Sequence, residues 1–255
     1  MDTIIDVRAL RTFIGGKWVH KGLDLTVQRG EILGIVGGSG CGKTTLLRRI
    51  LMLDEITVGQ VKVFDTDITR CNRQQAKTIR QRWGVTFQNG ALFSSLTVLE
   101  NIMFPIRELT NLNARLQREI ALLKIAMVGL SADTADKYPA ELSGGMQKRA
   151  SMARAIALEP ELLFLDEPTA GLDPNSAGAL DELILHLRDS LGLTIVMVTH
   201  DLDSLSRVTD RVAFLGEGKV LAAEPLAQLA KNPLTPIAHY FHGARGNKIT
   251  SAQVV

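Results

Sequence analysis

Three apolar runs stand out along the chain: Ile32-Leu33-Gly34-Ile35-Val36, Leu162-Leu163-Phe164-Leu165 and Thr194-Ile195-Val196-Met197-Val198. The first predicts a strand. A strand with one wet face alternates apolar and polar side chains, so the unbroken second run predicts a strand covered on both faces in a parallel sheet, and the third a further buried one. Between and around them apolar residues recur at helical spacing over Thr45–Leu51, Leu96–Leu109, Asn113–Leu130, Met146–Leu158 and Asn175–Leu191, with Pro105 interrupting the second of these. Within Asn113–Leu130, Leu116, Ile120 and Leu123 form one stripe, which is expected to face the core. Asp67–Arg82 is charged on several sides and predicts a solvated surface helix.

Shorter patterns frame this alternation. Val7–Phe13, Leu23–Val27 and Gly59–Phe64 predict strands of a small, mainly antiparallel sheet, with Arg29-Gly30 and Gly59 as turn signals. Trp83 begins a strand that ends in a polar turn at Gln88. Arg211–Leu215 and Lys219–Ala222, joined through Gly216-Glu217-Gly218, predict a closing hairpin. The tail from Asn232 onward, with Pro233 and Pro236, is expected to be loosely held. No Pro/Ser-rich linker or break in composition divides the 255 residues, so one domain spanning 1–255 is expected.

Chemistry gathers where the buried runs end. The first opens into Gly37-Gly38-Ser39-Gly40-Cys41-Gly42-Lys43-Thr44, which fits the phosphate-loop pattern G-x-x-x-x-G-K-[ST] without a mismatch and leads into a helix. A helix start offers unpaired N–H groups and the positive end of a dipole, and glycines let the backbone close around phosphate oxygens. Lys43 then supplies a cation for the β/γ-phosphates and Thr44 a hydroxyl for Mg²⁺. The second run ends in Asp166-Glu167-Pro168. Strand alternation places those two carboxylates on opposite sides, so that Asp166 faces a metal and Glu167 serves as general base. The third ends in Thr199-His200-Asp201, which sets a histidine where it could donate to a γ-phosphate oxygen. Gln88, able to donate and accept, suits bridging a metal and a water. Ser143 reads as an N-cap, and Gly144 and Gly145 leave that helix start bare of side chains, a second resting place for a phosphate. Phe13 or Trp18 could stack on a purine.

Charge and cysteine usage narrow the classes. A net charge of +2 without a basic block gives no support to nucleic-acid binding. Asp2 and Asp6 stand where a secretory leader would need positive charge and apolar residues. No apolar run approaches the roughly 18 to 20 residues that span a bilayer, so any membrane role is expected through a partner. Two cysteines, Cys41 and Cys71, without metal-ligand spacing, fit a reducing cytoplasm.

The order of the phosphate loop, Gln88, Leu142-Ser143-Gly144-Gly145, Leu165-Asp166-Glu167-Pro168, Gly171-Leu172-Asp173 and His200 resembles the ATP-binding cassette family, over nearly the whole chain. That resemblance implies an α/β fold of P-loop NTPase type: a RecA-like parallel core sheet, an antiparallel β subdomain and a helical insertion at about 89–158. It also implies ATP and Mg²⁺ as cofactors, with ATP on Gly37 to Thr45 and on Phe13, which falls where the family places its adenine-stacking aromatic. Thr44, Gln88 and Asp166 would attend the metal, while Lys43, Gln88, Glu167 and His200 would carry the chemistry. In a homodimer of cassettes, Ser143, Gly144 and Gly145 of one subunit would meet the γ-phosphate held by the other, with Asp173 at the seam. Phe87 to Phe93 and Leu142 to Met146 are most similar to cassettes of Mce-type phospholipid transport systems; many other cassettes have Gln in place of Met146. This narrower likeness implies an MlaE-like integral membrane permease, an Mce-domain substrate-binding protein, often a STAS-domain subunit, and a peripheral position on the cytoplasmic face of the inner membrane. An importer of polar solutes or a lipoprotein-extracting transporter is the nearest rival. Coiled-coil cassettes of chromosome and repair proteins would show sustained heptads, and a GTP switch would want N-K-x-D, which Asn247-Lys248-Ile249-Thr250 lacks.

Placed in the phosphate loop, Cys41 is expected to be protected from alkylation by bound ATP. Labelling followed by mass spectrometry checks this, and equal rates with and without ATP would contradict the placement of the loop.

Overall fold

The computed structural model describes residues 2–88 and 90–242, apart from the side chain of His242. These fall into two compact units, one drawn from Met1–Ile79 and Val196–Val255, the other from Arg80–Ile195.

In the first unit, β1 (Thr3–Ile14) and β2 (Lys17–Gln28) form an antiparallel hairpin, and β1 pairs on its other edge with β4 (Val58–Val63), followed by β5 (Thr66–Asp67). This is the expected antiparallel sheet, with strands longer than the sequence pattern marks. Beside it in the chain, β3 (Ile32–Gly37) pairs in parallel with β9 (Arg211–Gly216), from Leu33 opposite Arg211 to Gly37 opposite Leu215. β10 (Lys219–Glu224) closes the predicted hairpin on β9, and the order in this unit is β10-β9-β3-β8, where β8 (Thr194–Val198) is shared between the units. Gly34 interrupts the apolar run of β3 for a steric reason. A Cβ there would lie 2.6 Å from Leu205 Cδ2 of the helix Leu202–Val208, which crosses that face.

Two expectations for this unit need correction. Asp67–Arg82 is not one helix: Asp67 pairs with Lys62 in β5, and its carboxylate accepts from the Thr69 N–H and hydroxyl and from Gln60, which commits it to a turn. The helix is only Arg73–Arg80, with Ile79 alone buried, so its solvated character holds. The tail is not loose throughout either. Thr235–His242 is a helix that buries Ile237 and Phe241, and the Tyr240 ring meets Phe214 of β9 edge-on at 5.4 Å. Two apolar side chains four residues apart outweigh the Pro and polar residues around them; the expectation for 243–255 lies outside the described residues.

The second unit pairs β6 (Trp83–Thr86) in parallel with β7 (Leu162–Asp166), in the order β8-β7-β6. All five residues of β7 and of β8 are buried, as their unbroken apolar runs predict. Four helices surround this edge and can now be numbered with α1 (Lys43–Ile50) and α2 (Arg73–Arg80): α3 (Val98–Leu109), α4 (Ala114–Met127), α5 (Gly144–Ala155) and α6 (Pro174–Leu191). Helix α3 starts in a capping box between Thr97 and Glu100 and carries Pro105 inside it. The stripe expected to pack on α4 does not: Leu116 and Leu123 are 41% and 56% exposed. The buried face is instead Gln117, Ala121, Lys124 and Ile125, one position round the helix. Gln117 and Lys124 are tolerated there because Gln117 Nε2 donates to Leu112 O at 2.7 Å and Lys124 Nζ reaches Glu159 Oε1 at 3.1 Å, while their stems supply the apolar surface.

Among the glycines of this unit Gly84 of β6 has the least room, since a Cβ there would lie 2.1 Å from Ala155 O. Gly84→Ala is therefore expected to destabilise the fold by about 1 to 3 kcal/mol, measured as a lower midpoint in urea; an unchanged midpoint would contradict the packing of α5 on β6.

Candidate functional site

The phosphate loop follows β3 and ends at Gly42, whose φ of 103° caps α1 without a side-chain hydrogen bond. No acid stands in the first turn of α1, so the positive end of its dipole is left uncompensated. The loop curls back on its own lysine: Lys43 Nζ donates to Gly37 O at 2.8 Å and Gly38 O at 3.1 Å and lies 3.7 Å from Cys41 Sγ. Gly37 is needed for space, since a Cβ would sit 2.2 Å from Leu215 O, whereas Gly38 and Gly40 face open space. Thr44 is exposed and Thr45 half-buried. An exposed glycine loop with its carbonyls drawn onto an ammonium and a helix start bare of acid is a fit for a polyphosphate.

Under this loop lies a residue that the sequence pattern did not single out. His20 of β2 is fully buried, with Nδ1 2.9 Å from Thr12 Oγ1 and Nε2 3.2 Å from Gly42 O. A carbonyl can only accept, so Nε2 carries the proton and, in the neutral ring, Nδ1 accepts from the Thr12 hydroxyl. Burial pushes the His20 pKa below its ordinary value, against the Gly42 hydrogen bond, and the nearby Arg49 lowers it further. Only its place at an apolar position of an alternating strand could have drawn attention to it. On β1, Phe13 is 55% exposed and meets Trp18 edge-on at 5.1 Å, so both candidate stacking rings present themselves together. His200 is exposed just beyond β8, before Asp201, which caps the next helix.

The second unit gathers another set. Asp166 is the last, buried residue of β7. Glu167 lies beyond the strand in a left-handed conformation, φ 50°. The alternation argument for opposed carboxylates therefore does not apply; the turn sets the direction of Glu167. That turn is held from α5: Lys148 Nζ donates to Glu167 O at 3.2 Å and also to Gln88 O, and Glu167 O accepts from the Ala170 N–H as well. Gln88 itself is exposed. Burial lowers the Lys148 pKa, and the charges of Glu167 and Asp166 oppose that shift. At the start of α5, Ser143 Oγ accepts from the Met146 N–H at 3.3 Å, the expected N-cap, and Gly144 and Gly145 have no close neighbour where a Cβ would project. A cleft of about 360 Å³ opens there, lined by Ser143, Gly145, Met146, Arg149, Leu172 and Ser176 among others. Asp173 caps α6, accepting from the Asn175 and Ser176 N–H groups; a hydrogen bond from the Ser176 hydroxyl, followed by the Ser176 N–H, holds its pKa down. Among the described residues no cluster of three or more His, Cys, Asp or Glu side chains forms a metal cage.

The family model described as "ABC transporter" matches residues 20–170. The chain belongs to that family. This cassette is accordingly an ATPase. It is 38% identical to the intermembrane phospholipid transport system ATP-binding protein MlaF of Haemophilus influenzae, over 94% of this chain and 90% of that one. Against MlaF of Escherichia coli K12 the figures are 38%, 94% and 89%. The methionine import ATP-binding protein MetN of Xanthomonas axonopodis is 41% identical over 83% of this chain and 62% of its own length. Among solved structures, the dimeric cassette MJ0796 bound to ADP and Pi superposes with a TM-score of 0.79, 30% identity, and coverage of 87% and 98% of the two chains. The cbiO1 cassette of Clostridium perfringens gives 0.83, 27%, 98% and 100%. The fold expected from the sequence is that of these cassettes.

Because the His20 pKa is lower folded than unfolded, the neutral ring favours the fold. Its stabilising contribution is complete above the unfolded value of about 6.5 and is lost as pH falls below it toward the folded value. His20→Gln, which keeps an N–H for Gly42 O, is expected to remove that acid limb. Melting wild type and variant between neutral and mildly acid pH checks this; parallel curves would contradict a buried neutral His20.

Proposed function

We propose that this cassette is the ATP-hydrolysing subunit of a transporter that moves phospholipid or related lipid across the cell envelope. The observation that carries the reading is the likeness to MlaF, which runs through 94% of this chain. Supporting details are the Phe87 to Phe93 segment and Met146 after Ser143-Gly144-Gly145. Methionine import is the second reading, favoured by the 41% identity to MetN, though over 83% of this chain.

In this reading the whole chain works as one ATP-binding domain that takes ATP with Mg²⁺, which supplies charge neutralisation at the transferred phosphoryl group. Lys43 and the N–H groups of Gly37 to Thr45 bind the β/γ-phosphates, and Phe13 stacks on the adenine. Thr44, Gln88 and Asp166 would hold the metal, directly or through water. Glu167 polarises the attacking water, and His200 donates to the γ-phosphate. Two cassettes pair as in the MJ0796 dimer, with Ser143 to Gly145 against the partner's γ-phosphate and Asp173 along the seam. Closure and hydrolysis would be felt by an integral membrane permease of MlaE type at the surface around Phe93, which is exposed. An Mce-domain substrate-binding protein belongs to such an assembly, which often includes a STAS-domain subunit. Among the described residues no helix is long and apolar enough to cross a membrane. The likeness to MlaF supports a peripheral position on the cytoplasmic face of the inner membrane.

Glu167→Gln is expected to slow steady-state hydrolysis by about 10² to 10⁴-fold, the range of general-base catalysis, with ATP binding retained, whereas Lys43→Ala loses binding itself. Turnover measured beside nucleotide affinity separates the two. Wild-type turnover in Glu167→Gln would remove Glu167 from the chemistry.

A further inference from the structure

We propose that Lys148 is a positioning residue for hydrolysis, fixing the direction of the Glu167 carboxylate and the course of the Gln88 segment by binding both backbone carbonyls. The inference rests on the proposed role of Glu167 and extends it to a side chain that no sequence motif marked.

Glu167 is one of few non-glycine residues with positive φ, at 50°. L-residues occupy this region only when their surroundings hold them there. The Cα–Cβ direction of Glu167 follows from the peptide planes on either side of it, and the plane on its carboxyl side is set by where its carbonyl points. Two donors converge on that carbonyl, the Ala170 N–H at 3.3 Å and Lys148 Nζ at 3.2 Å. The first is an ordinary turn bond, whereas the second comes from a half-buried cation on α5, which makes it the stronger restraint. The same ammonium binds Gln88 O, so one cation ties together the chain segments after β6 and β7. These strands are hydrogen-bonded neighbours, and α5 packs against β6 closely enough that Gly84 has no room for a Cβ. The lysine therefore projects from a fixed platform. A water-polarising carboxylate has to be aimed, and a misplacement of about 1 Å can cost about 10²-fold in rate. Lys148 acts through Glu167 and touches no reacting atom in this scheme.

The test uses Lys148→Met, Lys148→Gln and Lys148→Arg in the full chain, each alone and Lys148→Met also in the Glu167→Gln background. Lys148→Met is expected to lower kcat by about 10 to 10²-fold with ATP affinity unchanged, and Lys148→Arg, which keeps donors for both carbonyls, to recover most of it. In single-turnover hydrolysis, Lys148→Met should add little to the loss already caused by Glu167→Gln, because groups in one pathway of action are not additive. In nucleotide-free protein, hydrogen exchange of the peptide containing Ala170 should rise in Lys148→Met and not in Lys148→Arg. That last readout does not depend on Glu167 being the base, so normal turnover in Glu167→Gln would overturn the catalytic reading while the exchange result still judged the contact. Unchanged exchange, wild-type kcat in Lys148→Met, or equal losses in both backgrounds would overturn the proposal. So would failure of both Lys148→Met and Lys148→Gln to fold, which would make the residue a structural one.

Discussion

Backbone carbonyls at the ends of buried strands have to be bound by something, and in this cassette two lysine ammoniums do much of that binding. Lys43 takes the carbonyls of Gly37 and Gly38 where β3 opens into its loop, and Lys148 takes those of Gln88 and Glu167 beyond β6 and β7. A charged donor serves this purpose better than a neutral one, because one ammonium offers three N–H bonds and holds segments distant in sequence. The first unit adds a fifth carbonyl to the pattern, with Gly42 O bound by a neutral histidine rather than by a cation. Burial favours the neutral ring of His20, and the nearby Arg49 disfavours a second positive charge there.

The helices of the second unit obey a different constraint. Their cores accept polar residues wherever the polar end is satisfied, as with Gln117, Lys124 and the buried Asn101, whose amide donates to the carbonyls of Phe93, Leu96 and Thr97 and whose oxygen accepts from the Phe93 N–H. Asn101 thus shapes the segment that leads from Phe93 into α3. Phe93 in turn meets Phe104 at a tilt of 54° with centroids 4.9 Å apart, and Arg154 lies over its ring, so its exposed ring is supported rather than adrift. Leu116 and Leu123 stay on the outside of α4 because the helix spends its neighbouring face on the interior.

Much of this was legible in the chain itself. Unbroken apolar runs mark β3, β7 and β8 because burial on both faces leaves no polar positions, and the phosphate loop is legible because glycine, lysine and threonine are each required by local geometry. Three features were not. The face that α4 buries could not be read from hydrophobicity, since long polar side chains fill the core through their stems and are satisfied by Leu112 O just before the pattern and by Glu159 beyond it. The direction of Glu167 could not be read from strand alternation, since the strand stops one residue earlier and a left-handed turn takes over. Lys148 carries no local signature, and His20 only its place at an apolar position of a strand, because their roles come from carbonyls 60 and 22 residues away in sequence.

Whether this ATPase powers lipid movement through a membrane partner is decided by copurification. The full-length protein would be isolated from membranes in mild detergent, with mass spectrometry of both the associated proteins and the bound lipid. The account predicts a multi-spanning permease together with an Mce-domain protein and phospholipid. Recovery of a permease with a methionine-binding protein and no enriched phospholipid would contradict it.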